Sequence, residues 1–133
     1  MHIDHIGIAV EDLESAVKTY EKLLDGKCYK REVVEDQNVE TAFFKTGQSK
    51  VELLGATTAD SVIAKYIAQK GQGMHHVAFE VEDIYAELDR LREEGFTVLG
   101  EKPSRGADNK LVAFVHPKDN CGVLVELCQE QEG

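Results

Sequence analysis

The chain has 133 residues, 42% of them apolar and 30% charged, enough for a sizeable core and ordinary for a globular domain. Its formal net charge of −10 argues against broad binding to nucleic acid or to an anionic membrane, since both repel an acidic surface. The three cysteines, Cys28, Cys121 and Cys128, match no zinc or redox spacing; no signal-peptide pattern opens the chain, and no apolar run approaches the ~18 residues that span a bilayer. The expectation is a cytoplasmic protein with reduced thiols.

In chain order, residues 3–10 read as a strand, with Ile6, Ile8 and Val10 on one face and His5, Gly7 and Ala9 on the other. Asp12 is placed to cap a helix whose stripe is Leu13, Ala16, Val17, Tyr20, Leu23 and Leu24, with Gly26 as its end. Residues 28–34, 39–44 and 50–54 read as three more strands between polar turns. A short amphipathic helix follows over 60–70, with Val62, Ile63, Tyr66 and Ile67 on one side. Residues 75–81 form the next predicted strand. Asp83 then caps a helix that buries Ile84, Leu88 and Leu91, and Gly95 closes it. Strands are expected at 96–99, 111–116 and 123–128, and residues 129–133 are expected to fray.

This order is a duplication. His5-Ile-Gly-Ile-Ala-Val-Glu-Asp-Leu returns as His76-Val-Ala-Phe-Glu-Val-Glu-Asp-Ile, an offset of 71, and Val51-Glu52-Leu53 returns as Val125-Glu126-Leu127, an offset of 74. The expected organisation is one domain of two βαβββ modules, 1–58 and 74–133, joined by a linker helix segment over 59–73. Strand alternation sets His5, Glu52, His76 and Glu126 opposite the apolar residues that face the helices. Taken singly, a strand histidine is usually a hydrogen-bonded structural residue and a strand glutamate a solvated one. Together they leave two carboxylates among apolar neighbours, which is costly unless these are protonated, paired or bound to metal. A divalent cation satisfies all four; mixed imidazole and carboxylate ligands suit Zn, Co, Ni, Mn or Fe(II).

Other candidates are weaker. The parity of Glu40, Ala42 and Phe44 against Val39, Thr41 and Phe43 permits Glu40 to face the same cleft, although an exposed edge-strand glutamate is the commoner reading. His75 must point away from His76, and His116, in Val-His-Pro-Lys, reads as a turn residue. Arg105, Lys110 and Lys118 are the best local group for a phosphate or carboxylate in an acidic chain.

These residues resemble the vicinal-oxygen-chelate superfamily of glyoxalase I, extradiol dioxygenases and antibiotic-resistance proteins, and within it the methylmalonyl-CoA epimerase family. The resemblance is carried by Ile-Asp-His-Ile-Gly-Ile-Ala-Val at the start, Val-Glu-Leu-Leu and Asp-Ser-Val-Ile-Ala-Lys-Tyr-Ile in the middle, Gly-Met-His-His-Val-Ala-Phe after them, and His-Pro-Lys then Gly-Val-Leu-Val-Glu-Leu at the end. It implies an α+β fold in which two tandem βαβββ modules form a curled mixed sheet around a metal cleft. It implies one divalent ion, cobalt foremost, on His5, Glu52, His76 and Glu126, with Glu40 and Glu126 as catalytic acids. Some members have Gln where this chain has Glu52, and the family's proline after Glu-Leu-Leu is replaced by Gly55-Ala56. The implied reaction is epimerisation at C2 of methylmalonyl-CoA by two-base proton transfer through a metal-stabilised enolate, in a homodimer. The alternatives are a glyoxalase I-type lyase acting on a glutathione hemithioacetal and a non-catalytic antibiotic-binding protein of the same fold.

Overall fold

A computed structural model describes residues 1–131, and the chain divides into two compact units. One holds residues 5–75; the other joins Met1–Asp4 to the segment from His76 onward.

In the 5–75 unit, strand β1 (His2–Ala9, from His5 on) is followed by α1 (Leu13–Leu24), β2 (Lys30–Val34), β3 (Val39–Thr46), β4 (Ser49–Ala56) and α2 (Val62–Lys70). Strands β2, β3 and β4 form an antiparallel meander, and β1 pairs with β4 in parallel, a partner it reaches only across the intervening elements. The order is β2-β3-β4-β1. Helix α1 starts where Asp12 accepts a 3.2 Å bond from the Ser15 amide. It ends on Asp25, which takes the left-handed conformation at φ 52, one residue before the expected Gly26; aspartate tolerates that region because its short polar side chain bonds locally. Leu13, Ala16, Val17, Tyr20 and Leu24 pack on Val10, Ala42, Phe44 and Leu53, whereas Leu23 is exposed. Helix α2, capped by Ser61, lays Ile63, Tyr66 and Ile67 on Ala9, Val39 and Leu54; Val62 faces solvent. The two helices therefore cover opposite faces of this sheet.

The other unit repeats the plan with β5 (Gly73–Glu80, from His76 on), α3 (Ile84–Glu93), β6 (Val98–Arg105), β7 (Lys110–Val115) and β8 (Val125–Glu130). The order is β5-β8-β7-β6, with β5 parallel to β8 and the other pairs antiparallel. Asp83 caps α3 through the Ala86 amide, and Ile84, Leu88 and Leu91 pack on Val81, Ala113 and Leu127 as their spacing predicts. Strand β6 lies at 98–105 rather than 96–99, with an irregular register against β7 between Leu99 and Ser104. Of the tail expected to fray, Gln129 and Glu130 belong to β8, and Glu132 and Gly133 lie outside the described residues. All three cysteines are free thiols. Among the described residues, no helix is long and apolar enough to cross a membrane.

Candidate active site

Register builds the two halves of the site. In the 5–75 unit, His5, Gly7 and Ala9 of β1 pair with Lys50, Glu52 and Leu54 of β4, so these six residues share a face. His5 and Glu52 are 6% and 5% exposed, with His5 Nε2 3.3 Å from Glu52 Oε1. On either side of Glu52 lie Gly7 across the parallel pair and Phe43 across the antiparallel pair. In the other unit, Glu126 of β8 lies between Ala78 of β5 and Phe114 of β7. His76 Nε2 is 3.4 Å from Glu126 Oε1, the two are 5% and 6% exposed, and the His76 ring meets Phe114 edge-on at 5.9 Å. Each half thus holds one buried imidazole–carboxylate pair between a phenylalanine and a residue of minimal size.

This donor chemistry fits a divalent cation. Two ligand atoms that each sit ~2.1 Å from an ion, at ordinary coordination angles, lie ~3.0–3.4 Å apart. Both His–Glu separations fall in that range. The buried His5–Glu52 pair of one unit and the buried His76–Glu126 pair of the other are each made of metal-ligating residue types.

Glu40 does not share this face, which corrects the expectation from parity. Phe43 is the residue opposite Glu52, so Val39, Thr41 and Phe43 share the Glu52 face, and Glu40, Ala42 and Phe44 point toward α1. Glu40 Oε2 accepts a 3.2 Å bond from Arg31 Nε, and Arg31 also donates to Glu14 of α1. The guanidinium holds the Glu14 carboxyl below its usual range through a hydrogen bond and its charge.

The expected basic group also comes apart. Lys110 is 3% exposed, and its Nζ donates to Asp4 Oδ1 at 3.0 Å and Glu80 Oε1 at 2.8 Å. Burial works against its charge, but these two carboxylates outweigh burial and raise its pKa. Arg105 donates to Asn109 instead. The Asp4–Lys110–Glu80 cluster was not anticipated, although a lysine opening the apolar run Lys-Leu-Val-Ala-Phe-Val, on the face of Val112 and Phe114, was the available signal. Burial, the main cause, pushes the Cys128 thiol up and keeps it protonated. His116 Nδ1 accepts from the Lys118 amide, as a turn residue should, and His75 packs edge-on against Tyr66 at 4.8 Å.

The model of the glyoxalase/bleomycin resistance protein/dioxygenase superfamily matches residues 4–114. The chain belongs to this superfamily. Among its relatives are the uncharacterized protein YqjC of Bacillus subtilis, 40% identical over 127 residues covering 96% of this chain and 91% of that one. The ethylmalonyl-CoA/methylmalonyl-CoA epimerase of Cereibacter sphaeroides is 41% identical over 129 residues, covering 96% of each. A solved Streptomyces coelicolor methylmalonyl-CoA epimerase variant, in complex with 2-nitronate-propionyl-CoA, superposes with a TM-score of 0.94 at 38% identity, covering 99% of both chains. The α+β fold expected from the resemblance is that of the superfamily, and the relatives bear out the resemblance to methylmalonyl-CoA epimerases.

Proposed function

We propose that this protein is a metal-dependent epimerase that interconverts (R)- and (S)-methylmalonyl-CoA. The observation that carries the reading is the duplicated buried His–Glu pair, in a chain 41% identical to an ethylmalonyl-CoA/methylmalonyl-CoA epimerase along nearly its whole length.

His5, Glu52, His76 and Glu126 hold one divalent ion, with cobalt the first metal to test. When bound, such an ion supplies Lewis-acid stabilisation of the negative charge that develops on the thioester oxygen. The chain's residues do the rest. Phe43 and Phe114 flank the two carboxylates with apolar surface that excludes water. Gly7 and Ala78 leave space beside them on the opposite strand. Glu126 moves a proton at C2. Inversion requires a second carrier, because a proton removed from one face must be replaced on the other. The chain acts in the cytoplasm as a homodimer, with β2 and β6, which close the outer ends of their strand orders, as the edges a partner copy covers.

A chiral assay of methylmalonyl-CoA interconversion, run beside methylglyoxal plus glutathione, tests the reading. Interconversion of the CoA ester alone is expected. Turnover of the hemithioacetal alone would assign the glyoxalase-type lyase instead. Light scattering at micromolar concentration should report a dimer.

A further inference from the structure

In the 5–75 unit, the face that carries His5 and Glu52 has one covered end and one exposed end. Helix α2 lays Ile63, Tyr66 and Ile67 over Ala9, Val39 and Leu54, so the face is filled on one side of Glu52. In the other direction along the strands, the next row on this face is Lys45, Lys50 and His5, paired across β3, β4 and β1. Successive rows on one face are ~7 Å apart. Residues 45–48, which lead into and form the β3–β4 turn, are exposed. Within this unit, a ligand whose reacting end sits at the His5–Glu52 pair therefore passes its remainder over the lysines.

The cations gather there in a chain whose net charge is −10. Lys45 and Lys50 stand directly opposite each other in the antiparallel pair, one rung before Thr46 and Ser49 close it at Gly47-Gln48. Like charges so placed destabilise a sheet, and a turn this short pins the register, so the two cannot slip apart. Lys30 joins them from β2, opposite Phe43. Aromatic rings hold two of the ammonium groups on this face. Lys45 Nζ lies 5.0 Å from the centre of the Tyr29 ring and Lys30 Nζ 5.9 Å from that of Phe43, and the two rings are 6.2 Å apart. Lys30 also meets Glu32 at 3.4 Å. A multivalent anion laid across Lys45 and Lys50 turns their repulsion into two attractions.

We infer that Lys45 and Lys50, with Lys30 beside them, form a subsite for the phosphate groups of the substrate's CoA moiety; the inference rests on the proposed epimerase reading. The charge of CoA lies in its phosphates, at the far end of the pantetheine arm from the thioester. Lysine ammonium groups are compact point charges on flexible stems and suit phosphate oxygens. No bond is made or broken at them; they hold the substrate while its thioester end reacts. The basic residues expected for this task from the sequence are engaged elsewhere, Lys110 by Asp4 and Glu80 and Arg105 by Asn109.

The test uses the full chain at saturating divalent metal. Isothermal titration with acetyl-CoA, which has no free thiol to capture the metal and no malonyl carboxylate, reads the CoA moiety alone. The Lys45→Gln/Lys50→Gln double variant should bind it about ten-fold more weakly than wild type, and added salt should weaken the wild type more than the variant. Lys45→Arg/Lys50→Arg should keep the affinity. So should Lys65→Gln/Lys70→Gln, which removes the same charge from α2. In turnover, the first double variant should raise KM for methylmalonyl-CoA while kcat stays within about two-fold. For methylmalonyl-pantetheine, which has no phosphate, both constants should stay at their wild-type values. Wild-type affinity for acetyl-CoA in Lys45→Gln/Lys50→Gln overturns the inference. An equal loss in the α2 variant also overturns it, by reducing the effect to net charge. An equal rise in KM for both thioesters does the same, by moving the lysines to the acyl carboxylate. A wild type that binds acetyl-CoA but interconverts neither epimer refutes the epimerase reading and leaves the subsite standing, whereas one that does not bind acetyl-CoA refutes the subsite.

Discussion

The two carboxylates at positions 40 and 52 differ in what their strand neighbours offer them. Glu52 has an imidazole, an aromatic ring and a bare glycine; Glu40 has a guanidinium and solvent. Glu40→Gln removes one arm of a half-exposed ion pair, so its stability cost should stay below ~1 kcal/mol in a urea titration. Epimerisation by that variant should remain within about two-fold of wild type. His76→Ala, by contrast, deletes a buried residue proposed as a ligand and should release the metal, read as stoichiometry falling toward zero. The faces of His5 and Glu52 were legible in the sequence because Gly7 and Ala9 alternate with Ile6, Ile8 and Val10. The face of Glu40 was not. Both sides of β3 are buried, with Thr41, Ala42, Phe43 and Phe44 all nearly inaccessible, so no polar–apolar alternation survives to orient the strand. Only the pairing of Phe43 with Glu52 decides it, and register between strands is not written in either strand alone.

Elements are held by polar groups that a hydrophobic pattern does not reveal. Lys110, at the start of β7, fixes both the Met1–Asp4 segment and the end of β5 through Asp4 and Glu80. Lys110→Met leaves the buried Asp4 carboxylate without this cation and should cost about 3 kcal/mol or more, seen as a lower denaturation midpoint with an unchanged slope. Between α2 and β5, His75 packs on Tyr66, and burial lowers its pKa. The folded state therefore favours the neutral ring, and the unfolded chain takes up the proton first as pH falls. The stability gained is present above the ordinary histidine pKa of about 6.5 and is lost as pH falls through the lower folded value. The metal-free protein should show this as a difference: between pH 7.5 and 5, wild type loses more stability than His75→Phe, which has no ring proton to gain. A slope shared by both proteins would remove His75 from the account. The cap residues Asp12 and Asp83 were readable because capping is local, four residues long. The late start of β6 was not, since Phe96 and Thr97 serve the turn after α3, with the Thr97 amide bound to Asp119 far along the chain.

At the scale of the molecule, duplication was the most legible property, because two close offsets, 71 and 74, mark two copies of the same strand, helix and proposed ligand positions. Metal bound only by the folded chain should add stability in proportion to its excess over Kd, ~2.7 kcal/mol at a hundred-fold excess, so a chelator should lower Tm and added ion should restore it. The parallel pairing of β1 with β4, and of β5 with β8, also sets a schedule. His5 and Glu52 are 47 residues apart, and their strands can align only after the β2-β3-β4 meander has brought β4 into place. The His5–Glu52 pair, proposed to hold the ion, is thus expected among the last contacts made in its unit. An ion that arrives so late acts as a lock on the finished structure and not as a seed for it. Chelation should therefore hasten unfolding in stopped-flow experiments and leave the refolding rate where it was.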